Sequence, residues 1–179
     1  MRGNPLTELQ KAFSGLESDL QNAQQALVAR LADDAYKMAY GMFGKPQPGW
    51  PALADWTKRV HQENAGSITS AGLNPSTSML FVTGELRDSV EKSVGKLESA
   101  VGTNDPVMRT QELGGPNPLS ANPIPARPVF EPTANQVFSR MRQHVEATVG
   151  PVLQDRDLQV RVTYTSPVGT TDIGDTSGS

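Results

Sequence analysis

The sequence predicts an α+β fold in which a small antiparallel sheet packs against two long helices. Three patterns carry this prediction: a long helical series of apolar residues near the amino terminus, a shorter series in the last third of the chain, and alternating strand-like runs between them. One domain is expected over residues 1–166, with a helical part over residues 1–43 and a long Pro-rich loop arm over residues 114–128. Residues 167–179 are polar and glycine-rich and are expected to form a flexible tail.

The amino-terminal helix is predicted from a capped start and a long apolar face. Asn4 suits the cap position and Pro5 the first helical position. Ser14 and Glu17 form a Ser-x-x-Glu capping box, so a second helix is expected to begin there. Apolar residues then recur every three or four positions, at Leu16, Leu20, Ala23, Leu27, Leu31, Ala35, Met38 and Met42. This spacing favours an amphipathic helix packed on the core over a coiled coil, because it drifts from heptads.

Glycine, proline and small polar residues interrupt the chain after this helix. Residues 44–50 contain two glycines and two prolines, which end the helix. A short polar helix is predicted over residues 55–63. Residues 64–78 are rich in Gly, Ser, Thr and Asn and are predicted to form an exposed loop.

The strand-like patterns come next. Residues 85–94 and 96–103 predict an antiparallel hairpin with its turn near Gly95, and an edge strand is considered at residues 79–82. The remaining predicted elements are a short helix from Asp105 to Leu113 ended by Gly114 and Gly115, a helix over residues 133–149 closed by Gly150 and Pro151, and a strand over residues 157–165.

The composition excludes several kinds of chemistry. The chain contains no cysteine, which rules out disulfides and thiolate metal sites. Its net charge is −3 and its basic residues are scattered, which disfavours sustained nucleic-acid binding. His61 and His144 lack the spacing of metal ligands and are predicted to be surface residues. No catalytic, cofactor-binding or metal-binding residue is predicted. Without an apolar signal region or membrane-length run, a soluble protein made in the cytoplasm is expected.

Five short segments occur in a fixed order between residues 50 and 130. They are Trp-Pro-Ala-Leu from Trp50, Leu-x-x-Thr-Gly-x-Leu-Arg-x-Ser from Leu80, Val-Gly-Thr from Val101, Glu-x-Gly from Glu112, and Pro-Ala-Arg-Pro-Val-Phe from Pro125. In this order they resemble the tail-completion proteins of long-tailed phages, also called head-to-tail joining or virion morphogenesis proteins. The resemblance extends over roughly residues 20–150.

The resemblance implies a structural virion protein rather than an enzyme. Proteins of this kind form rings, expected to be homo-hexamers, that terminate the tail tube at the neck and join the tail to the head. The expected partners are further copies of the chain, the tail tube protein and the head–tail connector or stopper proteins, with no membrane. DNA passes through the lumen without specific binding. The expected location is the virion neck, after assembly in the host cytoplasm.

The same segments supply the residues expected at subunit or partner interfaces, which are Thr83, Gly84, Arg87, Glu112, Pro125, Arg127 and Pro128. Gly84 is expected to form a tight turn with positive φ. Leu86 is expected to enter the sheet while Arg87 faces outward, where it can bind a carboxylate of a neighbouring subunit. Arg127 lies between prolines in a stiff, extended segment, which suits a contact arm.

Three alternative functions stay open at this level. The chain could be a neighbouring neck component, such as a head–tail adaptor or stopper, which differs in the ring that it contacts. It could be a minor tail or baseplate subunit. A small hydrolase, or a peptidoglycan-acting virion enzyme, would instead require a pocket that contains a carboxylate or histidine with a perturbed pKa.

Overall fold

The computed structural model describes residues 5–117, 121–155, 163–166 and 169–172. These residues form eight helices: α1 (Pro5–Met42), α2 (Asp55–Glu63), α3 (Ala65–Ser70), α4 (Glu85–Asp88), α5 (Pro106–Leu113), α6 (Phe130–Ser139), α7 (Met141–Thr148) and α8 (Gly150–Gln154). The strands are β1 (Glu91–Val94), β2 (Ser99–Gly102), β3 (Thr163–Ser166) and β4 (Gly169–Asp172). The predicted α+β class is confirmed, with a small antiparallel sheet packed against long helices.

The chain divides into two compact units. The smaller unit takes its described residues from Met1–Leu31, Gly95–Glu98 and Ser139–Ser179, and the larger unit consists of Ala32–Val94 and Ser99–Phe138. Helix α1 supplies residues to both units.

The core of the larger unit is a cluster of buried apolar side chains from α1, α5 and the chain around them. Ala39, Phe43, Val90, Met108 and Val129 form this cluster. Partly buried side chains pack around it, namely Tyr36, Met42, Trp50, Leu80, Leu86, Val101 and Phe130. Val101 of β2 packs on this cluster, and Lys92 of β1 forms an ion pair with Asp33 of α1, so both strands of the small sheet contact the helical part.

Strands β1 and β2 form the two-stranded sheet of the larger unit. The register pairs Glu91 with Gly102 and Val94 with Ser99. The turn lies between Gly95 and Glu98, where the Gly95 N–H donates to the Glu98 carbonyl at 2.8 Å. The predicted hairpin is therefore present, although its strands are shorter than the sequence suggested.

Residues 85–88 are helical where a strand was predicted. Gly84 has φ 100°, as predicted for a tight turn, and its carbonyl accepts from the Asp88 N–H at 2.9 Å. This turn starts α4, so Leu86 reaches the core from a helix and does not enter the sheet. The edge strand considered at residues 79–82 is also absent, because Leu80 has φ 56°, which no extended strand contains.

Three further predictions about the helices are correct only in part. Helix α1 runs without a break, because the Ser14 hydroxyl donates back to the Lys11 carbonyl at 3.1 Å and does not cap a new helix. The predicted loop at residues 64–78 contains α3. Ile68, the large apolar residue of this helix, is fully buried. The predicted helix over residues 133–149 is interrupted at Arg140, whose φ of −99° and ψ of 2° depart from helical values.

The carboxyl-terminal elements agree in part with the sequence patterns. Pro151 lies in the first turn of α8, so it begins a short helix as well as following α7. β3 includes the end of the strand predicted over residues 157–165, whose first part lies outside the described residues. Four residues of the expected tail form β4, which pairs with β3, and the rest of the tail lies outside the described residues.

Gly114 ends α5 in a conformation that excludes a side chain. Its φ of 69° and ψ of −179° lie in a region that glycine alone occupies readily. A Cβ atom there would lie 3.0 Å from the Ala126 nitrogen and 3.0 Å from the Ile124 oxygen, both of which are backbone atoms. At Gly115, by contrast, a Cβ would meet only Thr110 Cγ2 at 3.9 Å.

We therefore expect Gly114→Ala to lower the free energy of unfolding by about 2 kcal/mol or more. Gly115→Ala, one residue along the same loop, should change it by no more than about 0.5 kcal/mol. Urea unfolding followed by circular dichroism measures both. Equal stability of the two variants would contradict the backbone constraint at Gly114.

Candidate functional site

The five segments that carry the resemblance all lie in the larger unit. Trp50, Leu80, Leu86, Val101 and Phe130, which come from four of them, pack around the same buried cluster. Hydrogen bonds join the segments in pairs, as described below. The segments therefore belong to one folded unit.

The second and third segments meet at a hydroxyl pair. Ser89 Oγ lies 2.7 Å from Thr103 Oγ1, and Ser89 Oγ also lies 2.8 Å from the Leu86 carbonyl oxygen. Thr103 Oγ1 accepts from the Asp105 N–H at 3.0 Å. Asp105 Oδ1 in turn accepts from the Val107 N–H at 2.8 Å and caps α5. These contacts lead from the end of α4 to the start of α5.

Arg87 is held inside the larger unit. Its Nε donates to Asp88 Oδ1 at 2.8 Å, and its guanidinium carbon lies 4.8 Å from the Tyr40 ring centroid and 4.7 Å from that of Phe81. The side chain is 23% exposed. The expectation that Arg87 faces outward was wrong, because two aromatic rings and a carboxylate of its own chain hold the guanidinium.

Asp88 receives a second hydrogen bond in this cluster. The Tyr40 hydroxyl donates to Asp88 Oδ1 at 3.1 Å. The hydrogen bond from Arg87 is the main cause that lowers the pKa of Asp88, and the bond from Tyr40 adds to it. Burial, followed by the hydrogen bond to Asp88, raises the pKa of Tyr40.

Glu112 joins the fourth segment to the fifth by capping α6. Its Oε2 accepts from the Val129 N–H at 2.6 Å, and its Oε1 accepts from the Phe130 and Glu131 N–H groups at 3.1 and 3.0 Å. Three amide groups at the start of α6 thus find an acceptor in one carboxylate. Its negative charge also suits the positive end of the helix dipole.

Arg127 joins the fifth segment to the first. Its N–H donates to the Gln111 carbonyl at 2.5 Å, and its Nη2 lies 3.4 Å from the Pro51 oxygen and 3.5 Å from the Ala52 oxygen. The residue is 9% exposed. The loop arm, which the sequence predicted to be a contact arm, is consequently anchored to its own chain at its carboxyl end.

Gly115 and Ile124 also anchor the loop arm. Each donates its N–H to the carbonyl of the other, at 3.0 and 2.8 Å, and forms an antiparallel bridge. The described residues of the loop arm predicted over residues 114–128 form no helix or strand, and this single bridge ties its two sides together. The bridge closes the loop on itself, while residues 118–120 lie outside the described residues.

A cleft of about 900 Å³ lies beside the loop arm in the larger unit. Its walls come from α2, the chain from Leu80 to Leu86, α5 and the loop arm. Leu80, with its positive φ, lies in one wall. A leucine in that conformation is uncommon, and such strained residues cluster at functional sites. The cleft is therefore the candidate functional site.

The titratable side chains that line the cleft are His61, Glu85, Asp105 and Arg127. His61 is 2% exposed, and its Nδ1 lies 3.1 Å from the Pro75 carbonyl oxygen, which can only accept a hydrogen bond. Within the described part of the chain, no hydrogen bond links the side chains of His61, Glu85 and Asp105. The prediction that His61 is a surface residue was wrong, because α2 turns this ring inward against the chain at Pro75.

His144, the second histidine, is also buried. It lies in α7 of the smaller unit and is 6% exposed. The polar residues around it in the sequence suggested a solvated helix face. Burial of this ring depends on packing, which the sequence pattern did not reveal.

The other expected interface residues have different surroundings. Thr83 is exposed, and its Oγ1 lies 3.5 Å from the Glu85 nitrogen. Pro125 is exposed and lines the cleft, and Pro128 is half-buried. Thr83, Gly84, Pro125 and Arg127 all line the cleft, whereas Arg87, Glu112 and Pro128 do not.

Sequence reasoning missed Trp56, His61 and Gln111 as residues of this site. Trp56 and His61 lie five positions apart on α2, and Gln111 lies on α5. An exposed tryptophan on a polar helix was the one available signal for this surface.

The described residues contain no group of three or more His, Asp or Glu side chains placed to hold a metal ion. They also include no helix with the length and apolar character needed to cross a membrane.

Comparison of the chain with protein-family models, with curated proteins and with solved structures gave no match in any of the three.

The Glu112 cap leads to a prediction about stability. We expect Glu112→Ala to lower the free energy of unfolding by about 2–3 kcal/mol, because amide groups at the start of α6 lose a charged acceptor. Glu112→Gln should cost less, since its amide oxygen still accepts hydrogen bonds. Glu63→Ala, at an exposed glutamate, serves as the control. Urea unfolding measures the free energy of unfolding of each variant. Equal values for Glu112→Ala and Glu63→Ala would contradict the capping role.

The Asp88 contacts lead to a prediction about pH. A lowered folded-state pKa adds stability that is complete above the ordinary value of 3.8 and is lost as the pH falls through the lowered pKa. Asp88→Asn should therefore be less stable than the parent at neutral pH, by at most about 1 kcal/mol because the carboxylate is half-exposed. The difference should shrink between about pH 5 and about pH 2. Unfolding curves at several pH values test this, with exposed Asp155→Asn as the control.

Proposed function

We propose that this chain is a structural subunit of a tailed-phage particle that forms a ring at the head–tail neck, terminates the tail tube and joins the tail to the head. The observation that carries the proposal is the connection among the five segments of the resemblance. Ser89 bonds to Thr103, Glu112 to the start of α6, and Arg127 to the chain at Pro51. Because the segments bond to one another in one unit, a scaffold shared with the tail-completion proteins explains their order better than a chance match of short motifs.

The hairpin of the larger unit offers a surface for ring formation. All four residues of β1 are exposed, and β1 pairs only with β2 among the described strands. A two-stranded sheet has unpaired backbone groups along both outer edges, and such edges bind strands of other chains. A head-to-tail contact of this kind, repeated around an axis, closes a ring.

In the proposed ring, the hairpin forms the contact between subunits, and Arg87 and Glu112 do not. Both of those side chains are engaged within their own chain by short hydrogen bonds of 2.8 and 2.6 Å. Their role in the proposed subunit is to hold the scaffold that presents the hairpin. Thr83 and Pro125, which are exposed, stay available for contacts.

A cryo-electron microscopy map of the neck of the particle that contains this chain tests the proposal. A closed, sixfold ring of this chain between the tail tube and the head connector is the expected result. Absence of the chain from the neck would contradict the proposal. Twelve copies at the portal would indicate an adaptor instead, and a position within the tail would indicate a minor tail subunit.

A substitution in the hairpin tests how the ring forms. Val94 is 44% exposed at the end of β1, and Leu113 is 70% exposed at the end of α5. Val94→Arg should leave the melting temperature of the purified protein nearly unchanged, because surface substitutions cost little. It should reduce the yield of tailed particles about tenfold by placing a charge in a subunit contact. Leu113→Arg is the matched control, and normal assembly with Val94→Arg would rule out the hairpin contact.

A further inference from the structure

Arg127 is a cation in the cleft, and it forms no ion pair among the described residues, although the carboxylates Glu85 and Asp105 also line the cleft. Arg127 is 9% exposed, and among the described residues its guanidinium has two acceptors, the carbonyl oxygens of Pro51 and Ala52, at 3.4 and 3.5 Å from Nη2. Its Nε has no hydrogen-bond partner within the described ranges, and the ion pairs found there do not include it. A buried cation is costly without an anionic partner, so an incoming carboxylate would be bound favourably.

Burial is also the cause that lowers the pKa of Arg127. Arginine keeps its proton at physiological pH, so this direction means that the charged form is held in an unfavourable place. The contacts of the guanidinium and the direction of its pKa shift agree that the charge of Arg127 lacks a close anionic partner within the described residues.

A second polar group in the cleft also lacks a partner. Gln111 lines the cleft, and its Oε1 is buried with no hydrogen-bond donor in the described part of the chain. The Arg127 N–H bonds to the Gln111 carbonyl at 2.5 Å, so the two residues are adjacent through their backbones. The Arg127 Nε–H is thus an unsatisfied donor and Gln111 Oε1 an unsatisfied acceptor. A peptide backbone carries a C=O and an N–H group that can bond to them.

The rim of the cleft carries large apolar side chains that face solvent. Trp56 on α2 is 61% exposed and Val107 on α5 is 52% exposed, and both line the cleft. Exposed apolar side chains around a pocket mark binding surfaces, and tryptophan is among the residues that contribute most at such contacts.

We propose that this cleft binds a peptide segment of a partner protein in which an Asp or Glu side chain neighbours a large apolar side chain. The carboxylate pairs with the Arg127 guanidinium, and the apolar side chain packs against Trp56 and Val107. The peptide backbone approaches Gln111. The proposal goes beyond the neck assignment and does not rest on it, because it concerns the purified chain and a peptide alone.

Titration calorimetry with the full chain and two peptides tests the charge recognition. The probes are the acetylated, amidated peptides Gly-Leu-Glu-Leu-Gly and Gly-Leu-Gln-Leu-Gly, which differ only in the carboxylate. The Glu peptide should bind about tenfold more tightly or better, because a charge-assisted pair forms with Arg127. Arg127→Gln should abolish this preference. Arg109→Gln, which removes an exposed cation of α5 outside the cleft, should retain it.

A second pair of variants tests the apolar rim. Trp56→Ala should weaken both peptides by a similar factor, about tenfold, and Leu113→Ala, at an exposed apolar residue outside the cleft, should weaken neither. Circular dichroism shows whether Arg127→Gln folds. If it does not, the affinities of the parent, Trp56→Ala and Leu113→Ala for the two peptides still test the proposal.

Three results would overturn the proposal: equal affinity for the two peptides, a preference for the Glu peptide that survives in folded Arg127→Gln, or unchanged affinity in Trp56→Ala. Displacement of the Glu peptide by an equal concentration of sodium propionate would also overturn it, and would assign the cleft to small carboxylates. None of these results bears on the ring at the neck, which particle imaging tests separately.

Discussion

The Glu112 carboxylate fixes the place where two distant parts of the chain meet. It lies in the last turn of α5 and accepts three N–H groups at the start of α6. Val129, which donates to it, is fully buried in the core cluster, and Arg127 two residues earlier lines the cleft. Without this acceptor the first amide groups of α6 would be left unsatisfied beside the core. The position of the loop arm, and with it one wall of the cleft, depends on this cap.

The residues that made the sequence recognisable have mostly internal roles. Arg87 stacks between two rings, Glu112 caps a helix and Arg127 spans two backbone segments. Charged residues within short motifs suggest contacts with other molecules, because such side chains usually lie at the surface. In this unit they satisfy polar groups of the chain itself. The proposed contact surfaces are the edges of the β1–β2 hairpin and the cleft that Arg127 and Trp56 line.

Arg87 and Arg127 differ in how their charges are compensated, and this difference suggests a structural role for Arg87 and a binding role for Arg127. Arg87 has a carboxylate at 2.8 Å and two aromatic faces, so its charge is compensated. Arg127 is the more buried residue, and within the described residues its guanidinium forms no ion pair and contacts two neutral carbonyl oxygens at 3.4 and 3.5 Å. The first arrangement stabilises the fold, whereas the second leaves a charge that an external anionic group can complete.

The sequence by itself determined the elements that depend on local chemistry. The helical period of α1, the breaks at residues 44–50, the bounds of α2, the positive φ of Gly84 and the end of α5 at Gly114 follow from spacing and from residues with special backbone preferences. Tertiary structure decided what depends on neighbours distant in sequence. It made residues 85–88 helical, buried His61, and gave Arg87 and Arg127 opposite surroundings. Local patterns encode backbone preference, but burial and partner choice depend on side chains that meet only after folding.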